Sequence, residues 1–177
     1  MRLQEVDNNE LDLLRMLLVM HHEPVIIFEA GTHEGDFAIM AGKILRDHHT
    51  GGKVFTADPF DFKVNDRIKE EGLETFIEWH QLDFIEMMTA LNVSSQLIDF
   101  AFLDSGRDGN YDGEITEYLN IRSMRYRHYE AVKPHMARGG IIAVDDMANM
   151  QWYGSEAILA EADIYLKGGR GLTLKQM

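Results

Sequence analysis

The stretch from Pro24 to Gly35, PVIIFEAGTHEG, constrains the fold more than any other part of this sequence. It opens with an apolar run, 25–28, of β-branched and aromatic residues, which is typical of a buried strand in a parallel sheet. Glu29 then places a carboxylate at the carboxyl end of that strand. Gly31 allows a tight turn, and Gly35 allows a helix to begin close to a bound ligand. Because open α/β sheets bind ligands at the carboxyl ends of their strands, this stretch predicts a ligand site.

Strand and helix patterns alternate along the rest of the chain, which indicates βαβ units. The sequence therefore predicts an α/β fold, a Rossmann-like, doubly wound and mainly parallel sheet with a C-terminal antiparallel hairpin. An N-terminal helix within 1–23 is expected to cover the sheet. The predicted strands are 25–28, 53–57, 75–79, 97–103, 140–144, 163–167 and 172–175, and the predicted helices are 10–22, 36–48, 65–71, 83–91, 114–133 and 155–162.

Composition narrows the function classes. The 177 residues are enough for one domain, 1–177, with its own core. The absence of cysteine excludes disulfides and thiolate metal sites. A net charge of −13, from 17 basic and 30 acidic residues, repels polyanions, so we expect no nucleic-acid partner. Since no apolar run approaches the roughly 20 residues of a membrane helix, and the N-terminus is unlike a signal peptide, we expect no membrane partner and a cytoplasmic location.

Acidic side chains stand at the carboxyl ends of the predicted strands. They are Glu29, Asp58, Asp104, Asp145 and Asp146. Because these ends share one edge of a parallel sheet, the carboxylates are expected to crowd one cleft, which is unfavourable unless a positive group joins them. For each residue singly, a role as a turn former or helix cap is an alternative of about equal weight.

The segment Glu29-Ala-Gly31-Thr32-His33-Glu-Gly35 resembles the first motif of the class I S-adenosylmethionine-dependent methyltransferases. Its glycine spacing differs from G-x-G-x-x-G, which disfavours a nicotinamide dehydrogenase. The resemblance implies that Asp58 binds the ribose hydroxyls and that Asp83 lies near the adenine amino group, although Asp83 is equally suited to cap a helix. The cofactor-binding residues implied in this way are Glu29, Gly31, Thr32, His33, Gly35, Asp58, Pro59, Phe60, Asp83, Phe84 and Asp104.

Two later segments resemble the small metal-dependent O-methyltransferases of the catechol and caffeoyl-CoA type. They are 102–111, which contains Asp104 and Arg107, and 139–146, which ends in Asp145 and Asp146. The resemblance implies that Asp104, Asp145 and Asp146 bind a divalent cation, and all-oxygen ligands suit Mg²⁺, Ca²⁺ or Mn²⁺. It also makes Asp104 and Arg107 the candidate catalytic residues.

Two departures from that subgroup bear on the chemistry. Asp146 replaces an asparagine, which makes the site more anionic. Arg107 replaces a lysine that can act as a base, and an arginine stays protonated and cannot take the proton.

The remaining polar clusters are expected to be solvated. The run 122–128, RSMRYRH, predicts an exposed helix face paired with glutamates, and its alternative role is to hold an anionic substrate or a partner. The histidine pairs 21–22 and 48–49 predict solvated helix ends, because neighbouring residues of a helix do not face the same way. His33 lies inside the glycine turn and could reach the cleft.

The sequence as a whole indicates a small O-methyltransferase that uses S-adenosylmethionine, a small hydroxylated acceptor and a divalent cation such as Mg²⁺. A protein that binds the cofactor without transferring a methyl group is one alternative, which Arg107 favours. An aminopropyl transferase is another, because an acidic cleft suits a polyamine. The sequence leaves the oligomeric state open, and an exposed terminal hairpin is a feature through which a homodimer could form.

Overall fold

The computed structural model describes residues 8–20, 25–48, 51–94, 97–106, 124–148, 154–167 and 171–177. Within these ranges a seven-stranded sheet is flanked by helices on both faces. The strands are β1 (Ile26–Ala30), β2 (Lys53–Ala57), β3 (Ile77–His80), β4 (Ile98–Leu103), β5 (Met136–Val144), β6 (Ile164–Leu166) and β7 (Leu172–Gln176). The helices are α1 (Asn8–Met20), α2 (Asp36–His48), α3 (Val64–Glu70), α4 (Phe84–Ala90), α5 (Met124–Val132), the 3₁₀ turn Lys133–His135 and α6 (Ser155–Glu161).

The strands lie in the order β3-β2-β1-β4-β5-β7-β6. Strands β1 to β5 are parallel to one another, whereas β7 pairs antiparallel with both β5 and β6. The predicted fold class, including the C-terminal antiparallel hairpin, is confirmed. The chain runs outward from β1 to β3 on one side and then crosses back to β4 on the other, so the topological switch lies between β1 and β4.

Successive residues of a strand point to opposite faces of the sheet, so each strand contributes to two hydrophobic core layers. Ile27 faces the layer formed with α1, α2 and α3. Phe28 faces the layer formed with α4, α5 and α6. A strand buried on both faces is expected to be apolar without interruption, as 25–28 is.

Helix α1 packs on the first of these layers. Leu14 and Leu18 are buried among side chains of α2 and the sheet. The buried carboxylate of Glu10 accepts a hydrogen bond from the backbone N–H of Gly171 at 3.1 Å, which ties α1 to the start of β7. None of the helices in the described ranges is long and apolar enough to cross a membrane.

Strands β1 and β5 are longer than the sequence predicts, because they pair with neighbouring strands beyond their apolar runs. Strand β1 continues through Glu29 and Ala30, because these residues lie opposite Thr56 and Ala57 of β2. Strand β5 begins at Met136, which pairs with Ile98. Residues 114–123 of the predicted long helix and the predicted hairpin turn at 168–170 lie outside the described residues.

Candidate active site

The glycine turn after β1 lies directly against the end of β4. Gly31 has a φ of 89°, and its N–H donates to the carbonyl of Ala57 at 2.9 Å. A Cβ atom on Gly31 would stand 2.4 Å from the backbone oxygen of Asp104 and 3.0 Å from the Cα of Ser105. Only glycine allows this approach, so the turn and the Asp104 segment form adjoining walls of the crevice between β1 and β4.

Asp58, at the end of β2, holds the loops that form the cleft. Its two carboxylate oxygens accept backbone hydrogen bonds, Oδ2 from His33 at 3.0 Å and Oδ1 from Phe60 at 2.9 Å. His33 itself has a φ of 44°. Because each carboxylate oxygen has two acceptor positions, Asp58 keeps capacity for the two hydroxyls of a ribose. The sequence prediction did not foresee that Asp58 also orders the glycine turn.

Glu29 is buried in a short polar network. Its Oε2 accepts a hydrogen bond from the hydroxyl of Thr56 at 2.5 Å, and that hydroxyl also contacts the hydroxyl of Thr32 at 2.5 Å. Burial raises the pKa of Glu29 to about 8, against the lowering effect of the Thr56 hydrogen bond. Glu29 is therefore predominantly protonated at neutral pH, and its side chain is only 1 % exposed. A direct contact between Glu29 and a cofactor stays a prediction.

Asp83 caps helix α4, as one of the two sequence interpretations expected. Its Oδ1 accepts from the N–H of Ile85 at 2.9 Å, and the N–H of Asp83 donates to Glu86 Oε2 at 3.2 Å. The hydrogen bond from His128 lowers the pKa of Asp83, more than its partial burial raises it. The second carboxylate oxygen of Asp83, Oδ2, contacts His128. A contact between Asp83 and the adenine of a cofactor stays a prediction.

A buried histidine connects two of the strand ends. His128 of α5 contacts the hydroxyl of Ser105 through Nδ1 at 2.7 Å and Asp83 Oδ2 through Nε2 at 3.2 Å. Since the carboxylate can only accept, Nε2 carries the proton of that hydrogen bond. The chain Ser105–His128–Asp83 couples the end of β4 to the start of α4, and the sequence prediction missed it.

Three of the five carboxylates that were predicted to crowd one cleft lie together. One carboxylate oxygen from each of Asp104, Asp145 and Asp146 lies within 4.8 Å of the others. Asp146 follows β5 with a φ of 61°, in the left-handed region that aspartate tolerates better than most residues. All three side chains are largely buried.

Arg125 of α5 joins this cluster. Its Nη2 donates to Asp104 Oδ1 at 2.9 Å and to Asp146 Oδ2 at 2.7 Å. The arginine is only 3 % exposed. The positive group that crowded carboxylates require is thus a guanidinium supplied by a helix of the same chain.

This arrangement does not fit a divalent cation at the bridging position. The donor types suit Mg²⁺, Ca²⁺ or Mn²⁺, but Nη2 stands between the two carboxylates that a cation would join. A second positive charge there would be repelled by the guanidinium. The metal site implied by the resemblance therefore stays a prediction, and this geometry argues against it.

The expected solvation of the basic run 122–128 is wrong for two of its members. Arg127 is exposed, but Arg125 and His128 are buried. A sequence signal for this existed: the buried residues of α5 are Arg125, His128, Tyr129 and Val132, which have the i, i+3, i+4, i+7 spacing of one helix face.

The other predicted site residues are distributed as follows. Phe60 is 48 % exposed beside the cleft and lies 6.4 Å from the ring of Phe62, which in turn packs 4.4 Å from His33. Phe84 is buried, with its ring 6.4 Å from that of Phe28 and 5.1 Å from that of His128, and its contact with a cofactor stays a prediction. His48 is exposed at the end of α2, as expected. Residues 21–22, 49, 107 and 122, which include the catalytic candidate Arg107, lie outside the described residues.

Solved structures show the same architecture. An O-methyltransferase from Bacillus cereus, in complex with SAH, is 16% identical with a TM-score of 0.69, covering 97% of this chain and 82% of its own. The O-methyltransferase TomG from Streptomyces achromogenes, in complex with SAM, is 17% identical with a TM-score of 0.67 and coverages of 96% and 79%. A methyltransferase from Geobacter sulfurreducens is 14% identical with a TM-score of 0.69 and coverages of 97% and 79%. At these identities the similarity shows the fold alone.

Sequence comparison supplies the family. No curated protein matches the chain significantly. The profile of the methyltransferase domain family matches residues 28–147, which are more than half of the chain and run from within β1 to just past the acidic cluster. The chain therefore belongs to the methyltransferase domain family and is a class I S-adenosylmethionine-dependent methyltransferase.

Proposed function

We propose that this protein transfers a methyl group from S-adenosylmethionine to the hydroxyl oxygen of a small molecule. The observation that carries the proposal is the convergence of the glycine turn, Asp58 and the Asp104 segment on the crevice between β1 and β4. The family match supports methyl transfer. Structural neighbours named O-methyltransferases, two of them with SAM or SAH bound, support the cofactor and the oxygen acceptor.

The residues of the chain have separable roles in this proposal. Asp58 accepts hydrogen bonds from the ribose hydroxyls while it keeps the His33 turn in place. Gly31 lets the turn lie against the backbone of Asp104, so that the two segments form one side of the cofactor site. The cofactor, when bound, supplies an electrophilic methyl group on a sulfonium. Asp104 and Ser105, at the end of β4, form the wall on which an acceptor would be aligned, and such alignment contributes several kcal/mol to an in-line displacement.

A specific observation also supports the alternative of a cofactor-binding protein without methyl transfer. Asp104, the candidate catalytic carboxylate, accepts a hydrogen bond from the buried guanidinium of Arg125. The oxygen that accepts this hydrogen bond is engaged by a cation, so it does not stand as a free base for an acceptor hydroxyl. Incubation with labelled S-adenosylmethionine and a panel of phenols, catechols and hydroxy acids separates the two functions, because only the enzyme labels an acceptor.

Replacing Asp58 with asparagine is expected to weaken the binding of S-adenosylhomocysteine about 10- to 100-fold, since hydrogen bonds to a charged group are worth about 1.5–3 kcal/mol. Isothermal titration calorimetry measures the change. Asp61→Asn is the matched control, because Asp61 is an exposed carboxylate in the same loop and accepts from the nearby N–H of Lys63 at 2.8 Å.

A second ligand distinguishes ribose binding from loop ordering. With S-adenosylhomocysteine that lacks its 2′-hydroxyl, the penalty of Asp58→Asn should shrink, because one partner of the carboxylate is gone. An equal loss with both ligands would show that Asp58 acts only on the glycine turn. Unchanged affinity for both would contradict the cofactor assignment.

The remaining expectations from the sequence are part of the proposal. The acceptor is a small molecule rather than a nucleic acid. The homodimer and the cytoplasmic location stay predictions. Strand β6 at the sheet edge, with Ile164, Tyr165 and Leu166 each at least 36 % exposed, is where a second copy would pair.

A further inference from the structure

We propose that Arg125 takes the place of a divalent cation in the acidic cluster, so that this methyltransferase holds its acceptor site without a metal. The role of Arg125 in the cluster is inferred from its contacts with Asp104 and Asp146. What this role implies for the choice of acceptor rests on the proposed function.

The position of the guanidinium is the first argument. A bridging cation in such a site would bind an oxygen of Asp104 and an oxygen of Asp146. Nη2 of Arg125 makes these two contacts, at 2.9 and 2.7 Å. Both distances are those of charge-assisted hydrogen bonds. The arginine therefore draws together residues from the ends of β4 and β5, as a bound ion would.

The burial of the group is the second argument. The side chain of Arg125 is 4 % exposed, and those of Asp104 and Asp146 are 10 % and 8 % exposed. A guanidinium does not lose its proton in a protein, so its charge persists at any pH at which the fold survives. Leaving these carboxylates without it would strand negative charge in a poorly solvated site. The ion pairs are thus a permanent part of the cluster.

The anchoring of α5 is the third argument. His128 and Tyr129, on the same helix face, are buried, and His128 is held by Ser105 and Asp83. Asp146 presents its carboxylate from a left-handed backbone conformation, with φ of 61°. The backbones that carry Arg125 and Asp146 are therefore both held in place. Moving Arg125 away to admit a cation would break its hydrogen bonds to Asp104 and Asp146.

The consequence concerns the class of acceptor. A metal centre can select acceptors with two adjacent oxygens, because both can bind the same ion. A guanidinium already donating to two carboxylates does not impose that requirement. We therefore expect a single hydroxyl to suffice, with catechols gaining no advantage over simple phenols or alcohols of similar size.

Titration with Mn²⁺ in the absence of cofactor tests the cluster directly. After treatment with a chelator, the wild-type protein should show no binding by calorimetry up to about 1 mM Mn²⁺, the weak end of oxygen-ligand sites. Arg125→Met, which keeps the volume and removes the charge, should gain affinity by about tenfold or more, since the carboxylates lose their internal cation. Arg125→Lys is the matched control and should remain without binding.

Two results would overturn the proposal. The first is binding of Mn²⁺ by the wild-type protein below 1 mM that disappears in Asp146→Asn. The second is a folded Arg125→Met variant with no gain in affinity. If Arg125→Met does not fold, as circular dichroism will show, the wild-type and Asp146→Asn titrations decide alone. Titration with S-adenosylhomocysteine, run separately, judges the methyltransferase proposal, so failure of one proposal is distinguishable from failure of the other.

Discussion

Replacing Gly31 with alanine is expected to lower the free energy of unfolding by about 2–6 kcal/mol. Two costs add. Alanine at a φ of 89° is strained, which costs about 1–3 kcal/mol. Its Cβ would also lie 2.4 Å from the backbone oxygen of Asp104, and such overpacking costs typically 1–3 kcal/mol more. Because the clashing atom belongs to the backbone, no side-chain rotation relieves it. Chemical denaturation of the two proteins measures the difference.

Gly139→Ala provides the matched control. Gly139 has a φ of 84°, close to that of Gly31, but nothing lies within 4 Å of an added Cβ. The Gly139→Ala substitution should lower the free energy of unfolding only by the backbone strain, about 1–3 kcal/mol. The difference between the two variants therefore isolates the contact between the glycine turn and the Asp104 segment. If the two variants were equally destabilised, that contact would be too loose to form a wall of the cleft. Because a substitution at Gly31 destabilises the fold, its effect on cofactor binding cannot be separated from its effect on stability. Asp58→Asn is the better probe of cofactor binding.

The second large effect is on the pH dependence of stability. The pKa of Glu29 is about 8 in the folded protein, raised chiefly by burial from an ordinary value of 4.5. The folded state therefore holds a proton that the unfolded chain releases between these values. Stability from this group is fully present below pH 4.5 and is lost as the pH rises towards 8. Since one pKa unit is worth about 1.36 kcal/mol, the loss is of the order of 4 kcal/mol.

Glu29→Gln should remove this slope, because an amide resembles the protonated carboxyl group and does not ionise. We expect the variant to match the wild-type protein near pH 5 and to be more stable by several kcal/mol at pH 8. Urea denaturation at a series of pH values measures both curves, and their difference cancels the other titrating groups. Glu70→Gln, at an exposed position on α3, is the control and should leave the slope unchanged. Parallel curves for Glu29→Gln and the wild-type protein would show that Glu29 is ionised in the folded state.

Helix and strand positions were predictable where local signals decide them. Helix α2 has the predicted bounds, 36–48, and β2 has the predicted bounds, 53–57, because glycines stand beside both elements and their apolar residues have a clear period. Strand β1 extended further than its apolar run, through Glu29. The reason is pairing with β2 and β4 on both sides, which lies beyond any local pattern.

In the candidate site, too, some features followed from the sequence and others only from the tertiary structure. The sequence by itself determined that the carboxylates of Asp104, Asp145 and Asp146 would meet, since parallel strands end at one edge. Only the tertiary structure decided that Arg125 neutralises them and that His128 links Ser105 to Asp83. The physical reason is that a buried charge is paired by whatever group the packing of a helix brings within hydrogen-bond distance. The spacing of Arg125, His128, Tyr129 and Val132 marks one face of α5 in the sequence, but it does not show which carboxylates that face meets.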